Sequence, residues 1–528
     1  MKYIQIYLLI IGSLTAGSCK KFLDTKPQDF VSPEFYYTTE AQLNTALNGV
    51  YDMLGKQAIY GDAWWEKFNV VTDEGYFSNS NPTAIAVGLR VQNFDASDPD
   101  VLALWAGLYE GINRANLLLQ NIDKPEMDAT ARAVIEGETR FLRAYYYFLL
   151  VSSWGDVPLM TTPTEGLNST DVKRTSAAAV YDFIVSEMTA AEGKVKTATS
   201  FGFGGRVSKT VVEGMLARVC LYRAGYPLQD AAKYQDALNW ATKVIQSGEH
   251  ALNSSYRQIF INYAQDLYDV KESMWEVEFW GNQIGNNFQE AGSLGYINGI
   301  VTSSQTIGYS YGFINCTPIL YNLYEAKDTL RRDWNITPFS YNAATGAKTI
   351  KASTDLYTRN CGKWRREYET LLPKAINHTP QNFPILRYAD VLLMAAEAEN
   401  EVKGPTATAY GYANAVRARG WGKLLPGATN PHEADLPAGL SKDDFRQRVL
   451  DERARELAFE CLRRPDLIRR GMYLPVMKAA ANYMATNASA AYKYAANPGN
   501  NTTARNVLLP IPLTDIGVNK LLTQNPGW

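Results

Sequence analysis

The sequence predicts a mainly α protein, a helical-repeat scaffold interrupted by a long irregular, partly β insertion. Three observations lead there. Apolar residues recur at spacings of three and four through the first half and again beyond Pro384, the period of a helix with one buried face. The helices so marked come as pairs joined by short loops. From about Gln258 to Pro380 the period fades, and Gly, Asn, Ser, Thr and Tyr crowd in.

The chain opens with Met1-Lys2, a largely apolar stretch from Tyr3 to Leu14, and the small residues Ala16-Gly17-Ser18 ahead of Cys19. A basic start, a short apolar stretch and small residues describe a secretory signal, too short to remain as a membrane span. A Cys directly after them looks like a bacterial lipobox. Residues 1–18 are therefore expected to be removed and Cys19 to carry the lipid.

The helical scaffold is expected over about 40–257 and 384–475. Leu102, Trp105, Leu108, Tyr109 and Ile112 mark one helix. Ala131 to Val151 is a second, stopped by Gly155, Asp156 and Pro158, and Ala177 to Val195 a third. Lys209 to Ala224 and Tyr234 to Gln246 form a matched pair. Val212, Leu216, Val219 and Cys220 line one face; Ala237, Trp240, Ala241, Val244 and Ile245 line the other. Such pairs suggest a repeat of about 34 residues, as in tetratricopeptide arrays.

The insertion, about 258–383, holds one strand-like alternation from Ser273 to Trp280. It sets Trp275, Val277 and Phe279 on one face and Glu276, Glu278 and Trp280 on the other. A smaller irregular region runs from Gly61 to Pro99. Helices resume over Tyr388–Val402, Ala407–Arg419 and Asp443–Arg470, the last broken or kinked at Pro465. The tail, 506–528, is expected to be extended and packed against the body.

Charge is nearly balanced, with 52 Lys and Arg against 54 Asp and Glu and no basic run of five. This gives no electrostatic footprint for nucleic acid. Cys220, Cys316, Cys361 and Cys461 are spaced too widely for a zinc site. Cys220 and Cys461 fall in helix-like patterns and read as small buried hydrophobes. Cys316 and Cys361 share one irregular region, where pairing is open. His250, His378 and His432 have no partner at metal-ligand or triad spacing and read as loop or surface residues. No metal and no cofactor is expected.

The chain has 33 Tyr and 11 Trp, side chains with an apolar face and a polar tip that suit wet binding surfaces. Holding a neutral sugar needs such flat faces together with planar polar groups, and no activated nucleophile. The smaller irregular region offers Trp64, Trp65, Tyr76, Phe77 and Asn79. The insertion, the favoured location, offers Trp280, Asn282, Gln283, Asn286, Asn287, Tyr296, Tyr309, Tyr311 and Trp334. Trp105, Trp154 and Trp240 sit in scaffold patterns and read as core.

Two other readings compete. Glu276 and Glu278 lie on one strand face with backbones ~6.6 Å apart, near the separation of a glycosidase carboxyl pair. Neighbours on one face seldom flank a glycosidic bond, however. An array of helical pairs is also a peptide-binding scaffold, although that role does not call for the Trp- and Asn-rich insertions. Gly202-Phe-Gly-Gly205 lacks the Lys-Ser/Thr of a phosphate loop and reads as a flexible turn.

Five stretches, in order, resemble the SusD/RagB family of Bacteroidetes outer-membrane lipoproteins. They are Ser18-Cys-Lys-Lys-Phe-Leu-Asp24; Arg140-Phe-Leu-Arg-Ala-Tyr-Tyr-Tyr-Phe148 with Trp154-Gly-Asp-Val-Pro-Leu159; Ile385-Leu-Arg-Tyr-Ala-Asp-Val-Leu-Leu-Met394 with Glu397-Ala-Glu399; Glu452-Arg-Ala-Arg-Glu-Leu-Ala-Phe-Glu460 with Arg463 and Asp466-Leu467; and Leu508-Leu-Pro-Ile-Pro512 with Gln524-Asn-Pro-Gly-Trp528. The resemblance implies a single domain over 19–528 with four tetratricopeptide-like helical pairs. It also implies a surface-exposed position at the cell outer membrane through the lipid on Cys19. The partner would be a SusC-like TonB-dependent transporter, to which family members help deliver glycans or, in some cases, peptides. A non-enzymatic role follows. Within these motifs, Asp156 with Arg143 and Asp390 with Arg387 are expected to join buried hydrogen-bonded networks that fix helix ends. Glu452, Arg453, Arg455, Glu456 and Glu460 read as a packing charge network.

Overall fold

A computed structural model describes residues 36–78, 86–164, 166, 171–284 and 291–528. The signal segment, Cys19, Asn79, Asn286 and Asn287 lie outside the described residues. Among those described, no helix is long and apolar enough to cross a membrane.

The first half is a run of helices, each packed on the next: α1 (Glu40–Asp52), α2 (Pro99–Gln120), α3 (Ala129–Trp154), α4 (Ala177–Glu192), α5 (Lys209–Ala224) and α6 (Lys233–Gln246). Their starts are written locally. Asp98, Asp128, Ser176 and Ser208 each accept a hydrogen bond from a first-turn N–H, and Thr39 with Gln42 forms a capping box. Helix α3 ends at Gly155, whose φ of +72° lies in the region that favours glycine. Tyr145, Tyr146 and Tyr147 of α3 point to different sides and are all buried, because neighbours surround this helix. Their hydroxyls are satisfied by Tyr60, by Val50 O at 2.6 Å and by Met160 O at 2.9 Å.

The chain leaves the scaffold after α6 and returns through strand β8 (Phe383–Arg387) into α8 (Tyr388–Lys403), which packs on α6, α9 (Ala407–Gly420) and α10 (Lys442–Glu456). Between them, α7 (Tyr256–Gln265) falls inside the stretch expected to be irregular. Its buried Tyr256, Ile259, Phe260 and Tyr263 do follow the helical period, over too few turns to stand out.

Strand β4 (Ser273–Val277) pairs antiparallel with β8, with a register shift around Trp275. It is buried throughout, so the expected polar face does not exist within it. Three smaller pairs complete the β content: β1 (Gly75–Phe77) with β5 (Ile314–Cys316), β2 (Val157–Pro158) with β3 (Arg174–Thr175), and β6 (Phe339–Tyr341) with β7 (Lys348–Ile350). One apolar core runs from Leu43 of α1 through the insertion to Leu522.

Several expectations need correction. The segment Asp443–Arg470 breaks before Pro465, at the turn after α10, where Phe459 and Cys461 take φ of +63° and +66°. Pro465 sits in the first turn of the helix Arg463–Arg469, where its missing N–H is tolerated. Cys461 thus lies in the connection rather than in a helix. Cys316 and Cys361 are buried free thiols. His250 is buried and hydrogen-bonds Thr210 Oγ1 at 2.8 Å. The tail is extended over Leu508–Pro512 but then forms a short helix, Leu513–Val518. It is stitched to the end of α3 by Trp154 Nε1 donating to Pro510 O at 2.8 Å.

The motif charges are buried except for Asp156, which is exposed, and Asp156 with Arg143 and Asp390 with Arg387 do not pair directly. Arg387, the last residue of β8, donates to Glu460 at 2.7 Å, Glu272 at 2.9 Å and Glu456 at 3.0 Å. Asp390, in the first turn of α8, instead pairs with Arg218 and Arg453. Burial alone would raise the Asp390 carboxyl, but Arg453 and Arg218 hold it down at about 2. Arg143 pairs with Glu187. Asp156 caps α4, accepting from Ala177 N at 2.7 Å.

Candidate functional site

On the insertion side of the scaffold lies a polar cleft of about 490 Å³. One wall is the irregular segment Gly55–Asp62, with a π-helical turn at Gln57–Gly61. Gly61 is required there, since a Cβ would stand 2.5 Å from Gly55 O. The facing wall is Ala291–Ile297, and Gln283, Asn377 and His378 close the ends. Ser293 Oγ donates to Gly61 O at 2.5 Å and ties the two walls together. Gly292 and Thr379 exchange backbone hydrogen bonds at 2.9 Å. Arg366, paired with Glu369, donates to Tyr309 O at 2.6 Å and His378 O at 3.1 Å, so one buried guanidinium holds two loops in register.

Next to the cleft an aromatic ridge rises from the insertion. Tyr311 lies 5.2 Å from Tyr296, 5.1 Å from Tyr309 and 4.8 Å from Phe313, ring centroid to ring centroid. The Tyr311 and Phe313 rings are parallel to within 7°, and Phe313 rests on Phe77 at 5.3 Å. Tyr311 is 40 % exposed, the most open ring of the set. Backbone bonds from Tyr311 N to Tyr296 O and from Phe313 N to Ile297 O, both 2.9 Å, fix the ridge to the cleft wall. Burial and the neighbouring Tyr311 push the Tyr296 hydroxyl up to about 12, so it stays a hydrogen-bond donor at neutral pH.

Asp62 is the carboxylate of the cleft, whose lining also includes Lys56. Burial, then the nearby Glu66, pushes its carboxyl up to about 7, and its buried Oδ1 has no hydrogen-bond partner among the described residues. His378 is held below its ordinary value by burial and by Arg366, so it is neutral near pH 7. The site therefore combines flat apolar faces with hydrogen-bonding groups. Among the described residues, no cluster of three His, Cys, Asp or Glu side chains could hold a metal ion.

Comparison with known proteins agrees with the architecture. A family model described as SusD family matches residues 337–528, and another, described as starch-binding associating with outer membrane, matches residues 21–221. The chain belongs to the SusD family. A SusD-like protein of Formosa agariphila is 28 % identical over 99 % of this chain and 98 % of its own length. The crystal structure of a SusD homolog from Bacteroides thetaiotaomicron superposes with a TM-score of 0.86 at 29 % identity, covering 96 % of this chain and all of that one. A laminarin-binding SusD-like protein superposes with a TM-score of 0.70 at 23 % identity, covering 93 % of this chain and all of that one, a likeness of fold. The helical repeats described above are those of the SusD fold.

Within this fold the residues expected to bind are divided. Tyr296, Tyr309 and Tyr311 come together on the ridge, and Gln283 reaches the cleft from a left-handed turn with φ of +55°. Asn282 is not available to a ligand: it is buried, with Nδ2 on Pro373 O at 2.7 Å and Oδ1 accepting from Ile284 N at 3.0 Å. Its role is to build the turn that presents Gln283. Trp64, Trp65 and Tyr76 are corrected to core. Trp65 is 1 % exposed with Nε1 on Tyr60 O at 2.8 Å, and Tyr76 is 2 % exposed with its hydroxyl on Tyr357 O at 2.5 Å. Trp334 is 6 % exposed with Arg365 stacked over its ring at 3.8 Å, so that face is taken. Trp280 is half-buried.

Asp62, His378 and Phe313 went unread as site residues. Asp62 stands next to the tryptophans singled out, but nothing local distinguishes it. Glu276 is buried with Gly204 packed on it, and Gly205 N donates to Glu278 at 2.9 Å. Gly204 and Gly205 serve close packing rather than flexibility, whereas a Cβ at Gly202 would meet nothing.

Proposed function

We propose that this protein is a glycan-capturing lipoprotein of the outer-membrane surface. In this reading the lipid on Cys19 anchors it, and captured oligosaccharide or polysaccharide passes to a SusC-like TonB-dependent transporter. The observation that carries the reading is the Tyr296, Tyr309 and Tyr311 ridge beside a polar cleft. An exposed ring backed by a parallel partner offers a rigid face to the C–H side of a sugar. Asp62, Gln283, Asn377 and His378 supply hydrogen bonds to hydroxyls. Proteins of like fold, a laminarin-binding SusD-like protein and a surface glycan-binding protein from Bacteroides fluxus, support the same reading.

The test is calorimetric titration of the chain from Lys20 onward with neutral plant, fungal and host oligosaccharides, with sugar release assayed in parallel. Saturable binding without release is expected. Tyr311→Ala should weaken it at least ~10-fold, the scale of a binding hot spot, while leaving the fold intact because the ring is exposed. Silence across the panel, or binding indifferent to Tyr311→Ala, would refute this reading.

A further inference from the structure

Consecutive arginines face different sites. Arg366 braces the cleft just described, whereas Arg365 lies over Trp334 in the wall of a second cleft, of about 500 Å³, that shares no lining residue with the first. The second cleft is framed by the start of α7, the helix Thr329–Asn335, the β6–β7 hairpin and the end of α9.

Its lining carries Arg257, Lys348, Arg365 and Arg419 against one carboxylate, Asp333. Part of this charge is already used. Asp333 accepts from Arg332 at 2.8 Å, Lys348 pairs with Glu367 at 2.9 Å, and Arg419 pairs with Glu272 and Glu456 beneath the cleft. The remainder is uncommitted. Arg257 is exposed, with no hydrogen bond or ion pair among the described residues. Arg365 spends Nε and Nη2 on the carbonyls of Gly362, Asp333 and Trp334, while its Nη1 reaches Glu367 only at 3.9 Å.

Three buried donors in the lining also lack a hydrogen-bond partner among the described residues: Arg419 Nε and Nη1, in a residue with no exposed surface, and Trp334 Nε1. A buried donor without an acceptor costs free energy that an incoming acceptor recovers. Helix α7 begins at this cleft without a side-chain cap, adding the partial positive charge of its N-terminus.

We propose that this second cleft binds an oxyanion carried on a saccharide, a carboxylate or a sulfate ester. Arg257 would meet it from the rim and Arg365 Nη1 from the wall. The saccharide part rests on the glycan-capture reading; the oxyanion part does not. Arg365 cannot be replaced by Lys without loss, because its planar fork both covers Trp334 and holds three carbonyls.

The chain from Lys20 would be titrated with trigalacturonate, a sulfated disaccharide, neutral galactotriose and sodium sulfate, at low and physiological salt. The acidic sugars should bind, more weakly as salt rises. Arg257→Gln should weaken them about 10-fold, the loss of one charge-assisted hydrogen bond, with the unfolding midpoint unchanged. Tyr311→Ala should leave them bound. Retained binding of acidic sugars by Tyr311→Ala, with neutral sugars silent throughout, would support the cleft while sinking the ridge. Sulfate binding alone, lost in Arg257→Gln, would support the oxyanion and remove the saccharide. No binding of any anion, equal binding by Arg257→Gln, or acidic binding lost only in Tyr311→Ala would overturn the proposal.

Discussion

Replacing Arg387 by Met, which keeps the length and removes the charge, would isolate what the buried motif network contributes. Arg387 is 1 % exposed and makes carboxylate hydrogen bonds to Glu272, Glu456 and Glu460. Each of these retains another cation: Arg419 for Glu272 and Glu456, Lys363 for Glu460. The loss is therefore that of one broken buried pair rather than three, about 3–5 kcal/mol. The pH dependence gives a second readout. In the native chain burial would raise Glu456, but Arg419, Arg387 and Arg331 hold it at about 2. Removing Arg387 lets the Glu456 carboxyl rise toward its ordinary value. A depressed carboxyl contributes stability that is complete above its unfolded value and is lost as pH falls toward the folded one. The deficit of the variant should thus be larger at about pH 7 than at about pH 3.5. Equilibrium urea unfolding followed by tryptophan fluorescence measures both. A deficit below ~1 kcal/mol, or one that is the same at the two pH values, would show that the network does not carry this energy.

Three further outcomes are expected. Asp62, raised to about 7, costs the wild type stability as pH climbs from the ordinary carboxylate range through about 7, so Asp62→Asn should flatten that part of a thermal-midpoint profile; an unchanged slope would count against a buried Asp62. Gly204→Ala would place a Cβ 2.8 Å from Glu276 Oε1, and urea unfolding should show a loss of about 1–3 kcal/mol, with a neutral result contradicting the close packing. Asp390, held at about 2, contributes stability that is complete above the ordinary carboxylate range and is lost as pH falls toward about 2, so acid titration by circular dichroism should show Asp390→Asn without that component.

The scaffold was legible because its signals are local. Lys209–Ala224 was read to the residue, since a Ser cap, a continuous apolar period and a following Gly all lie within one short stretch. The two helices after β8, α8 and α9, were equally plain. At Pro465 local reasoning misplaced the break, because the turn is made by Phe459 and Cys461, residues that carry no turn signal of their own. The insertion was recognisable as a place where aromatic and amide side chains gather, and Tyr296, Tyr309 and Tyr311 do form one surface.

Which aromatics remain outside was a different question. Composition counts rings but does not say which way they face. Tyr76 is sealed by Tyr357, 281 residues away, and Trp334 by an arginine from the next loop. Asp62, from the connection between α1 and α2, and His378, near the end of the insertion, meet in one cleft. By itself the sequence determined the helical pairs and the family motifs, because caps, period and helix stops act within a few residues. The tertiary structure alone decided burial and ion-pair partners, because desolvation and ion pairing depend on groups that only the folded chain brings within a few ångströms.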